Sequence, residues 1–381
     1  MHKVALVLLG AGQSNRFRQK GIPKKQWLRI GEIPLWLKVA KEIFSLYPFA
    51  NFILTAHKNE IKYTQKYLDS FNLPFKVIQG GETRQESLQN ALKEVQEEYV
   101  LVSDIARCNI PNAIFQNILE QIGKYDCVVP YLKVSDTLAY GEIPTYLNRD
   151  ECKLIQTPQL SLSAKLKDSL NTDKNYTDES SAIAANGGKI GFIEGSRESQ
   201  KITFFEDLKE LNLPPPSKRT IIGSGSDIHQ FQKGEGILLG GVFIPCPYEF
   251  VAHSDGDVCL HALCDAILGA IGAGDIGEWF PDNDESYKNA NSANLLSRIV
   301  DFACNVGYSL KQADITIFAQ TPKLSAYKIA IEKSIAQILN IPHFCVSLKA
   351  TTTEKLGFIG RKEGVLTQAN VVLEYFNWNT N

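Results

Sequence analysis

The sequence predicts two α/β units in one polypeptide, the first of them doubly wound. Three observations carry that expectation. A proline run, Leu211-Asn-Leu-Pro-Pro-Pro-Ser-Lys-Arg219, interrupts the chain just past its midpoint. To its left, strand-like apolar runs alternate with amphipathic helical ones, the pattern of a doubly wound sheet. To its right, carboxylates and imidazoles recur at spacings that suit metal ligation. Three successive prolines remove three backbone donors and favour an extended, semi-rigid segment, so neither a helix nor a central strand crosses Pro214, Pro215 and Pro216. The expected units are residues 1–210 and 220–381, with 211–219 as linker.

Length and composition agree with this division. A chain of 381 residues exceeds one ordinary core. With 44% hydrophobic and 22% charged residues it has the balance of a globular protein, and a net charge of -2 argues against nonspecific attraction to nucleic acid or membranes. No apolar run reaches the roughly 18–20 residues that span a bilayer. The segment Met1-His-Lys-Val-Ala-Leu-Val-Leu-Leu-Gly10 lacks a cleavage site before Gln13-Ser-Asn-Arg16, so it reads as a buried first strand rather than an export signal, and a cytoplasmic location is expected. The eight cysteines are scattered without a C-x-x-C pair and read as buried thiols. Cys259 and Cys264 flank His261, which leaves a metal role open beside the commoner one of small core residue.

Val4 to Leu9 is continuously apolar, as a strand buried on both faces should be. An amphipathic helix is expected over Ile33 to Leu46, a strand over Asn51 to Thr55 and a helix over Asn59 to Asp69. Further strands follow at Lys76 to Ile78, Tyr99 to Ser103 and Cys127 to Pro130. Ligands of such sheets bind beyond the carboxyl ends of the strands. There the first strand runs into Gly10-Ala11-Gly12-Gln-Ser-Asn-Arg16-Phe-Arg18, where Gly10 and Gly12 admit close backbone approach and exposed amides can hold phosphate oxygens. The turn fits neither the dinucleotide fingerprint nor the Walker pattern, and taken alone it serves a structural role equally well. Gly80-Gly81-Glu-Thr-Arg84-Gln-Glu-Ser87 leads from a strand into a helix with amides and an arginine for an anion. Ser103-Asp104-Ile-Ala-Arg107 closes an apolar strand with an acid that can hold Mg²⁺ or a substrate hydroxyl, or simply cap a turn. Several anion-handling elements at strand ends point to nucleotidyl transfer.

With these motifs in order, the left half resembles 2-C-methyl-D-erythritol 4-phosphate cytidylyltransferase over nearly its whole length. The resemblance rests on Leu9 to Arg16, Pro23-Lys-Lys-Gln26, Gly80 to Ser87, Ser103 to Arg107, Asp136-Thr137, Arg149 with Gln156-Thr-Pro-Gln159, Thr177-Asp-Glu-Ser180 and Lys201-Ile-Thr203. It implies a nucleotidyltransferase domain in which Gly10, Ala11, Gly12, Gly81, Arg84 and Ser87 bind the nucleotide. Arg16 and Lys25 would neutralise the CTP phosphates; Lys25 is preferred to Lys24 because it directly precedes Gln26-Trp27. Arg149 and Lys201 would position the methylerythritol phosphate, and Asp104, Arg107, Thr137 and Thr157 would line the same cleft. Gly10 stands where the family commonly has alanine, Ser14 where it has glycine, and Ile105 and Cys108 where alanine and proline are usual. Two other readings of this half stay open: a different polyol phosphate as substrate, or a noncatalytic scaffold.

In the right half, Asp227 and His229 share one face of an extended strand. Ala252-His253-Ser254-Asp-Gly-Asp257 forms a polar turn before a helix over Val258 to Ile271, whose start Asp257 favours through the helix dipole. His261 lies one turn from both Asp257 and Asp265, and either carboxylate can orient its ring. Asp227, His229 and His261 would offer Zn²⁺ three ligands and an open fourth position, the pattern of catalytic zinc, although a lone helix histidine often only packs. The loop carrying Asp275, Gly277 and Asp282 suits polyol hydroxyls. Lys349-Ala350-Thr351-Thr352-Thr-Glu354-Lys-Leu-Gly-Phe358 sets hydroxyls beside an acid, either for diphosphate and Mg²⁺ or as a capped turn.

These stretches resemble 2-C-methyl-D-erythritol 2,4-cyclodiphosphate synthase from end to end, which implies a trimerising α/β domain with sites at subunit interfaces. By that resemblance Zn²⁺ sits on Asp227, His229 and His261, and Mg²⁺ (or Mn²⁺) on Glu354. His253 and Thr352 would steady the transition state. Ser254, Asp275, Gly277, Asp282, Phe358 and Arg361 would bind the substrate, and Ala319, Pro322, Leu324, Ala350 and Thr351 the cytidine. Mg²⁺ or Mn²⁺ would also accompany CTP on the left. A dimerising left half and a trimerising right half imply a hexamer. The two activities flank a kinase step for which no motif is present, so docking of that kinase is a further expectation; no nucleic-acid or membrane partner is expected.

Overall fold

The computed structural model describes residues 2–19, 21–281, 283–287 and 290–379; Asp282 lies outside them. The chain divides between Pro215 and Pro216, within the proline run, into two compact units.

The first unit opens with β1 (Val4–Leu9), the short pair β2 (Arg29–Ile30) and β3 (Ile33–Pro34), and α1 (Leu35–Phe44). Then come β4 (Asn51–Ala56), α2 (Ile61–Ser70), β5 (Lys76–Gln79), α3 (Arg84–Leu92), β6 (Tyr99–Asp104), α4 (Asn112–Leu119) and β7 (Cys127–Lys133). The hairpin β8 (Leu138–Tyr140) and β9 (Thr145–Leu147) follows, with β10 (Lys153–Ile155), β11 (Gln159–Leu162), α5 (Ser163–Leu170), α6 (Glu179–Ala185) and β12 (Ile190–Glu194). Eight strands form one mixed sheet, ordered β10-β7-β11-β6-β1-β4-β5 with β12 added beside β7. The stretch β6-β1-β4-β5 is parallel, whereas β11 runs antiparallel between β6 and β7. β1 is buried at all six positions, which is why it reads as one apolar run.

Helix bounds differ from expectation where proline intervenes. Ile33 and Pro34 pair as a strand, and α1 starts only at Leu35, because Pro34 has no amide to donate and sits at the cap. The stretch expected to be helical from Asn59 begins as a 3₁₀ turn over Lys58–Glu60 and becomes α-helical at Ile61.

The second unit contains β13 (Thr220–Lys233), β14 (Gly236–Leu239), β15 (Val242–Pro245), β16 (Tyr248–Phe250), α7 (Val258–Ile271) and α8 (Ile276–Trp279). It continues with α9 (Ser292–Asn305), β17 (Tyr308–Phe318), α10 (Lys328–Leu339), β18 (Val346–Thr351), α11 (Gly357–Gly360) and β19 (Gly364–Tyr375). Its main sheet is ordered β16-β13-β19-β17-β18, with only β17 and β18 parallel. α7 is apolar on nearly every side and packs against β13 unusually closely. A Cβ at Gly223 would stand 2.0 Å from the Ala266 carbonyl oxygen, and one at Gly225 2.3 Å from that of Ala262. Glycine at both positions lets the helix lie on the strand, and the same strand face continues into Asp227 and His229.

All eight cysteines carry free thiols, four of them buried. Burial raises the pKa of Cys259 and of Cys264, as befits core residues rather than metal ligands. No helix among the described residues is long and apolar enough to cross a membrane.

Candidate active sites

A cavity of about 270 Å³ opens in the first unit at the carboxyl ends of β1, β4, β5 and β6. It gathers Gly10, Ala11, Gly12, Arg16, Lys25, Gly81, Arg84, Ser87, Asp104 and Lys201 from five separate parts of the sequence. Each arrives for a local reason. β1 ends at Leu9 and releases the glycine turn. The turn is held from beneath by Gln26, whose amide donates to the carbonyls of Gly10 (3.2 Å) and Gly12 (2.8 Å). The same side chain accepts from Ser14 Oγ at 2.9 Å. Ser14 has a φ of 61°, the left-handed region, which explains why glycine suits that position and why a serine there relies on its hydroxyl for support. At Gly80 an added Cβ would stand 2.2 Å from that of Ala11, so the two glycine turns touch only because one lacks a side chain. α3 starts beside them under a capping box of Thr83 and Glu86, and its N-terminus adds dipole and amides to the anion-binding wall.

The two neighbouring lysines separate. Lys24 is buried and its ammonium pairs with Glu60 at 2.6 Å, while Glu60 also accepts from the Trp27 indole at 2.7 Å. Lys25 instead faces the cavity, donating to the Ile202 carbonyl at 2.8 Å. Burial first, and Lys201 second, push its pKa down to about 8 against the pull of Asp104. Asp104 is itself the junction of the cationic wall. Its Oδ1 meets Arg84 Nε at 3.0 Å and its Oδ2 meets Lys201 Nζ at 2.6 Å. Burial opposes its ionisation, but the two cations outweigh burial and hold the carboxyl well below the usual range. With both oxygens committed, Asp104 organises cations rather than presenting a free face to a metal. Arg84 is braced from behind by fully buried Glu179 at 2.9 Å.

Four of the expected cleft residues stand elsewhere. Arg107 donates to the Thr157 hydroxyl at 3.0 Å and to the Ser199 carbonyl; both Arg107 and Thr157 are buried and neither lines the cavity. The Thr157 hydroxyl also takes the Asp104 amide, so this pair buttresses the wall instead of forming it. Thr137 and Arg149 are exposed beside the β8–β9 hairpin, Arg149 donating to the Ser135 carbonyl at 3.0 Å, and they too are outside the lining. Conversely, Gln13, His57, Lys58 and Thr83 line the cavity without having been singled out. Only position along a strand end could have suggested them.

In the second unit Asp227, His229 and His261 converge so that one ligand atom of each lies within 4.8 Å of the others. The Nδ1 atoms of both histidines stand 3.1 Å from Asp227 Oδ2. His229 Nδ1 is buried and has no hydrogen-bond partner among the described residues. Asp227 Oδ2 hydrogen-bonds His261 Nδ1 at 3.1 Å, and the buried, unpartnered His229 nitrogen beside the same oxygen makes the group fit a metal. Neither Asp257 nor Asp265 orients His261, contrary to the spacing argument. Asp257 caps α7 through the amides of Cys259 and Leu260 and also takes those of Gly240 and Gly241. Asp265 accepts the Ile276 amide at 2.8 Å. His261 Nε2 instead meets Ser292 Oγ at 2.8 Å and Ser254 Oγ at 3.3 Å.

The remaining residues of this unit fall into two groups. His253, with its Nε2 buried and unpartnered, and Ser254 precede α7 near the metal group, and Asp275 caps α8 through the Glu278 amide. The other group lies at the far side of the sheet. Ala319, Pro322 and Leu324 follow β17, while Ala350, Thr351, Thr352 and Glu354 end β18. The Ala319 amide donates to the Thr351 carbonyl at 3.0 Å, which ties the two segments together. Thr352 Oγ1 donates to Glu354 at 3.0 Å, and Glu354 and Lys355 both hold positive φ, 51° and 65°, a strained turn in which the Lys355 amide donates to Gln320 Oε1 at 3.4 Å. Phe358 is half-buried next to it, and exposed Arg361 pairs with Glu363 at 2.8 Å. The register aligns Asp227 to His229 on β13 with Thr351 on β18, three strand spacings away, or about 14 Å.

Comparison with known proteins agrees with both halves. A family model described as 2-C-methyl-D-erythritol 4-phosphate cytidylyltransferase matches residues 4–212, and one described as the YgbB family matches residues 220–374. A bifunctional enzyme IspD/IspF of Campylobacter fetus subsp. fetus is 50% identical over 378 residues, covering 99% of both chains. One of Wolinella succinogenes is 50% identical over 380 residues, covering 99% of this chain and 98% of its own. The solved structure of the bifunctional IspDF from Campylobacter jejuni superposes with a TM-score of 0.86 at 46% identity, covering 99% of each chain. Sharing both domains in the same order over the full length, this chain belongs to the family of bifunctional IspD/IspF enzymes.

Proposed function

We infer that the cavity at the strand ends of the first unit is where CTP and 2-C-methyl-D-erythritol 4-phosphate react, and that the Asp227, His229 and His261 group serves the cyclisation of 4-diphosphocytidyl-2-C-methyl-D-erythritol 2-phosphate. The enzyme joins a cytidylyltransferase to a cyclodiphosphate synthase. The observation that carries the first assignment is the convergence of Arg16, Lys25, Arg84 and Lys201 on one concave surface. In that cleft a phosphate oxygen of the polyol attacks the α-phosphorus of CTP and pyrophosphate leaves from the opposite side. Arg16 and Lys25 hold positive charge over the triphosphate, where negative charge grows in the transition state. Lys201, fixed by Asp104, orients the attacking phosphate. The amides of the two glycine turns bind oxygens that are already charged in the ground state. Arg149, on the exposed hairpin, serves the cleft only if a second copy brings it there.

In the second unit Asp227, His229 and His261 would hold zinc. Zinc there supplies a Lewis acid that withdraws charge from a phosphate. Glu354, with the Thr352 hydroxyl beside it, offers magnesium or manganese one carboxylate, and phosphates and water complete such a shell. The 2-phosphate attacks the β-phosphorus and CMP departs, while Thr352 and His253 donate to oxygens that gain charge. Asp275 accepts from the polyol hydroxyls. A separation of about 14 Å between the metal group and the Thr351–Glu354 turn favours a site completed by the next subunit.

Two apolar surfaces support an oligomer. Ile222 (70% exposed) and Ile228 (52%) project from the β13 face opposite α7, and Tyr140, Ile143 and Tyr146 project from the β8–β9 arm. Trimer contacts through the first and dimer contacts through the second build a hexamer, and a monomeric mass by light scattering would sink it. The intervening kinase is proposed to dock transiently, which failure of cross-linking would count against. Eight free thiols suit a cytoplasmic enzyme.

Phosphorus NMR of the purified protein with CTP, Mg²⁺ and methylerythritol 4-phosphate tests the first assignment. Pyrophosphate and a new cytidine diphosphate ester are expected. CTP binding without reaction would point to another polyol phosphate, and no CTP binding would leave the first unit as a scaffold.

A further inference from the structure

Behind the metal group lies a chain of contacts that neither reaction uses directly. His261 Nε2 meets Ser292 Oγ at 2.8 Å, and Ser292 Oγ in turn makes a short hydrogen bond to Asp255 Oδ1. The other oxygen of Asp255 accepts the Ser292 backbone amide at 3.0 Å. Ser292 is fully buried, and Asn291 caps α9 with its own side chain, so the serine hydroxyl is not needed as the helix cap. The carboxylate has no proton to give, so the hydroxyl donates its only proton to Asp255. Its oxygen can then only accept from His261, which fixes the imidazole proton on Nε2. With Nε2 held as the donor to Ser292, Nδ1, hydrogen-bonded to Asp227 Oδ2 at 3.1 Å, is the ring atom left to face a cation beside Asp227.

We propose that Asp255 and Ser292 are positioning residues that lock His261 in the tautomer whose Nδ1 can bind the metal. This rests on the metal assignment above. Outer-shell partners of ligating histidines typically change metal affinity by about 10–100-fold. Removal of the hydroxyl in Ser292→Ala leaves the Asp255 contact to the backbone amide intact but frees the ring to adopt either tautomer. In Asp255→Asn the effect should be larger. Asp255 Oδ2 accepts the Ser292 amide at 3.0 Å and Oδ1 the Asp257 amide at 3.3 Å. The carboxamide therefore keeps its oxygen on the closer Ser292 amide, gives up the Asp257 amide, and turns its NH₂ group to donate to the hydroxyl. The serine proton must then turn toward His261, which draws the lone pair to Nε2 and places a proton on Nδ1 in front of the metal.

The test is a zinc titration of the full-length, chelator-stripped protein in competition with a chromophoric chelator, alongside thermal melting of each metal-free variant. Wild type should bind one zinc per chain, Ser292→Ala about tenfold more weakly and Asp255→Asn more weakly still, with the metal-free melting temperature of Ser292→Ala unchanged. If Asp255→Asn fails to fold, Ser292→Ala decides alone. Zinc affinity of Ser292→Ala within twofold of wild type would overturn the proposal while leaving the metal site standing. Wild type that binds no zinc, or His261→Ala that binds it undiminished, would overturn both.

Discussion

The two sites solve opposite electrostatic problems, and their side chains are arranged accordingly. The first must receive polyanions, so it collects cations, and it keeps them from repelling one another with carboxylates from the same unit. Asp104 joins Arg84 to Lys201, and Glu179 braces Arg84. The second groups two imidazoles around one carboxylate: His261 Nδ1 hydrogen-bonds Asp227 Oδ2 at 3.1 Å, whereas buried His229 Nδ1 faces the same oxygen with no hydrogen-bond partner among the described residues. An anion site can therefore tie Arg84, Lys201 and Lys25 to acceptors of its own unit, whereas a metal site shows a buried ring nitrogen left without a partner.

The largest test of this contrast is a crossed pair of substitutions. Lys201→Ala should cost cytidylyl transfer about 10³-fold in kcat/KM and leave cyclisation and zinc content unchanged, since one preorganised charge is worth that much in a dry cleft. His261→Ala should abolish cyclisation and zinc binding with cytidylyl transfer within twofold. Pyrophosphate release and CMP release, assayed separately on the same preparations, read both. Loss of both activities from either change would mean that the units are not independent.

A second test stays within the anion site. Lys24 and Lys25 are adjacent in sequence but differ in partner. Lys25→Ala should lower cytidylyl transfer by at least about 10²-fold with little change in melting temperature. Lys24→Ala should strand the buried carboxylate of Glu60 and destabilise the first unit by about 3–5 kcal/mol. Denaturant unfolding followed by tryptophan fluorescence suits the second measurement, because Trp27 shares Glu60 with Lys24. Equal effects of the two changes on both readouts would undo the assignment.

The lowered pKa of Lys25 sharpens the same point. Its charge is nearly complete at pH 7, half lost at about 8 and mostly lost by pH 9. Because kcat/KM reports the free enzyme, that of cytidylyl transfer should fall about tenfold between pH 7 and pH 9 with a midpoint near 8. Lys25→Arg should move the fall upward. A flat profile over that range in wild type would show that another cation carries the phosphate.

Much of both sites could be read before the structure because local pattern determined it. The six apolar residues of β1 predict a strand buried on two faces, and α7 runs from Val258 to Ile271 as its cap and periodicity imply. What could not be read were contacts between side chains far apart in sequence. Lys201 reaches Asp104 across 97 residues and Ser292 reaches His261 across 31, and no spacing rule covers either. The i, i+4 rule even misdirected, since it assigned Asp257 and Asp265 to His261 when backbone amides at helix starts had the stronger claim on both carboxylates. Gly223 and Gly225 were visible as letters, but their reason required knowing that a helix lies on them. The pairing of β11 between β6 and β7 was missed because four residues carry too little period to register.

The smallest expected effect is at Ser14, a non-glycine residue of the glycine turn. Its φ of 61° costs a serine on the order of 1 kcal/mol relative to glycine. Its hydroxyl offsets this by donating to Gln26 and accepting the Lys25 amide at 3.3 Å. A neutral hydrogen bond contributes about 1 kcal/mol, so the two terms nearly cancel. Ser14→Gly should therefore melt within about 2 °C of wild type and keep kcat/KM for cytidylyl transfer within about twofold. Ser14→Ala keeps the strained backbone and removes the compensation, so it should be the less stable of the two and should loosen Gln26 beneath the turn. If Ser14→Gly instead loses activity tenfold while Ser14→Ala does not, the hydroxyl is irrelevant and rigidity of the turn is what the phosphates require. Ser14 would then serve the loop through its stiffness and not through its hydrogen bonds.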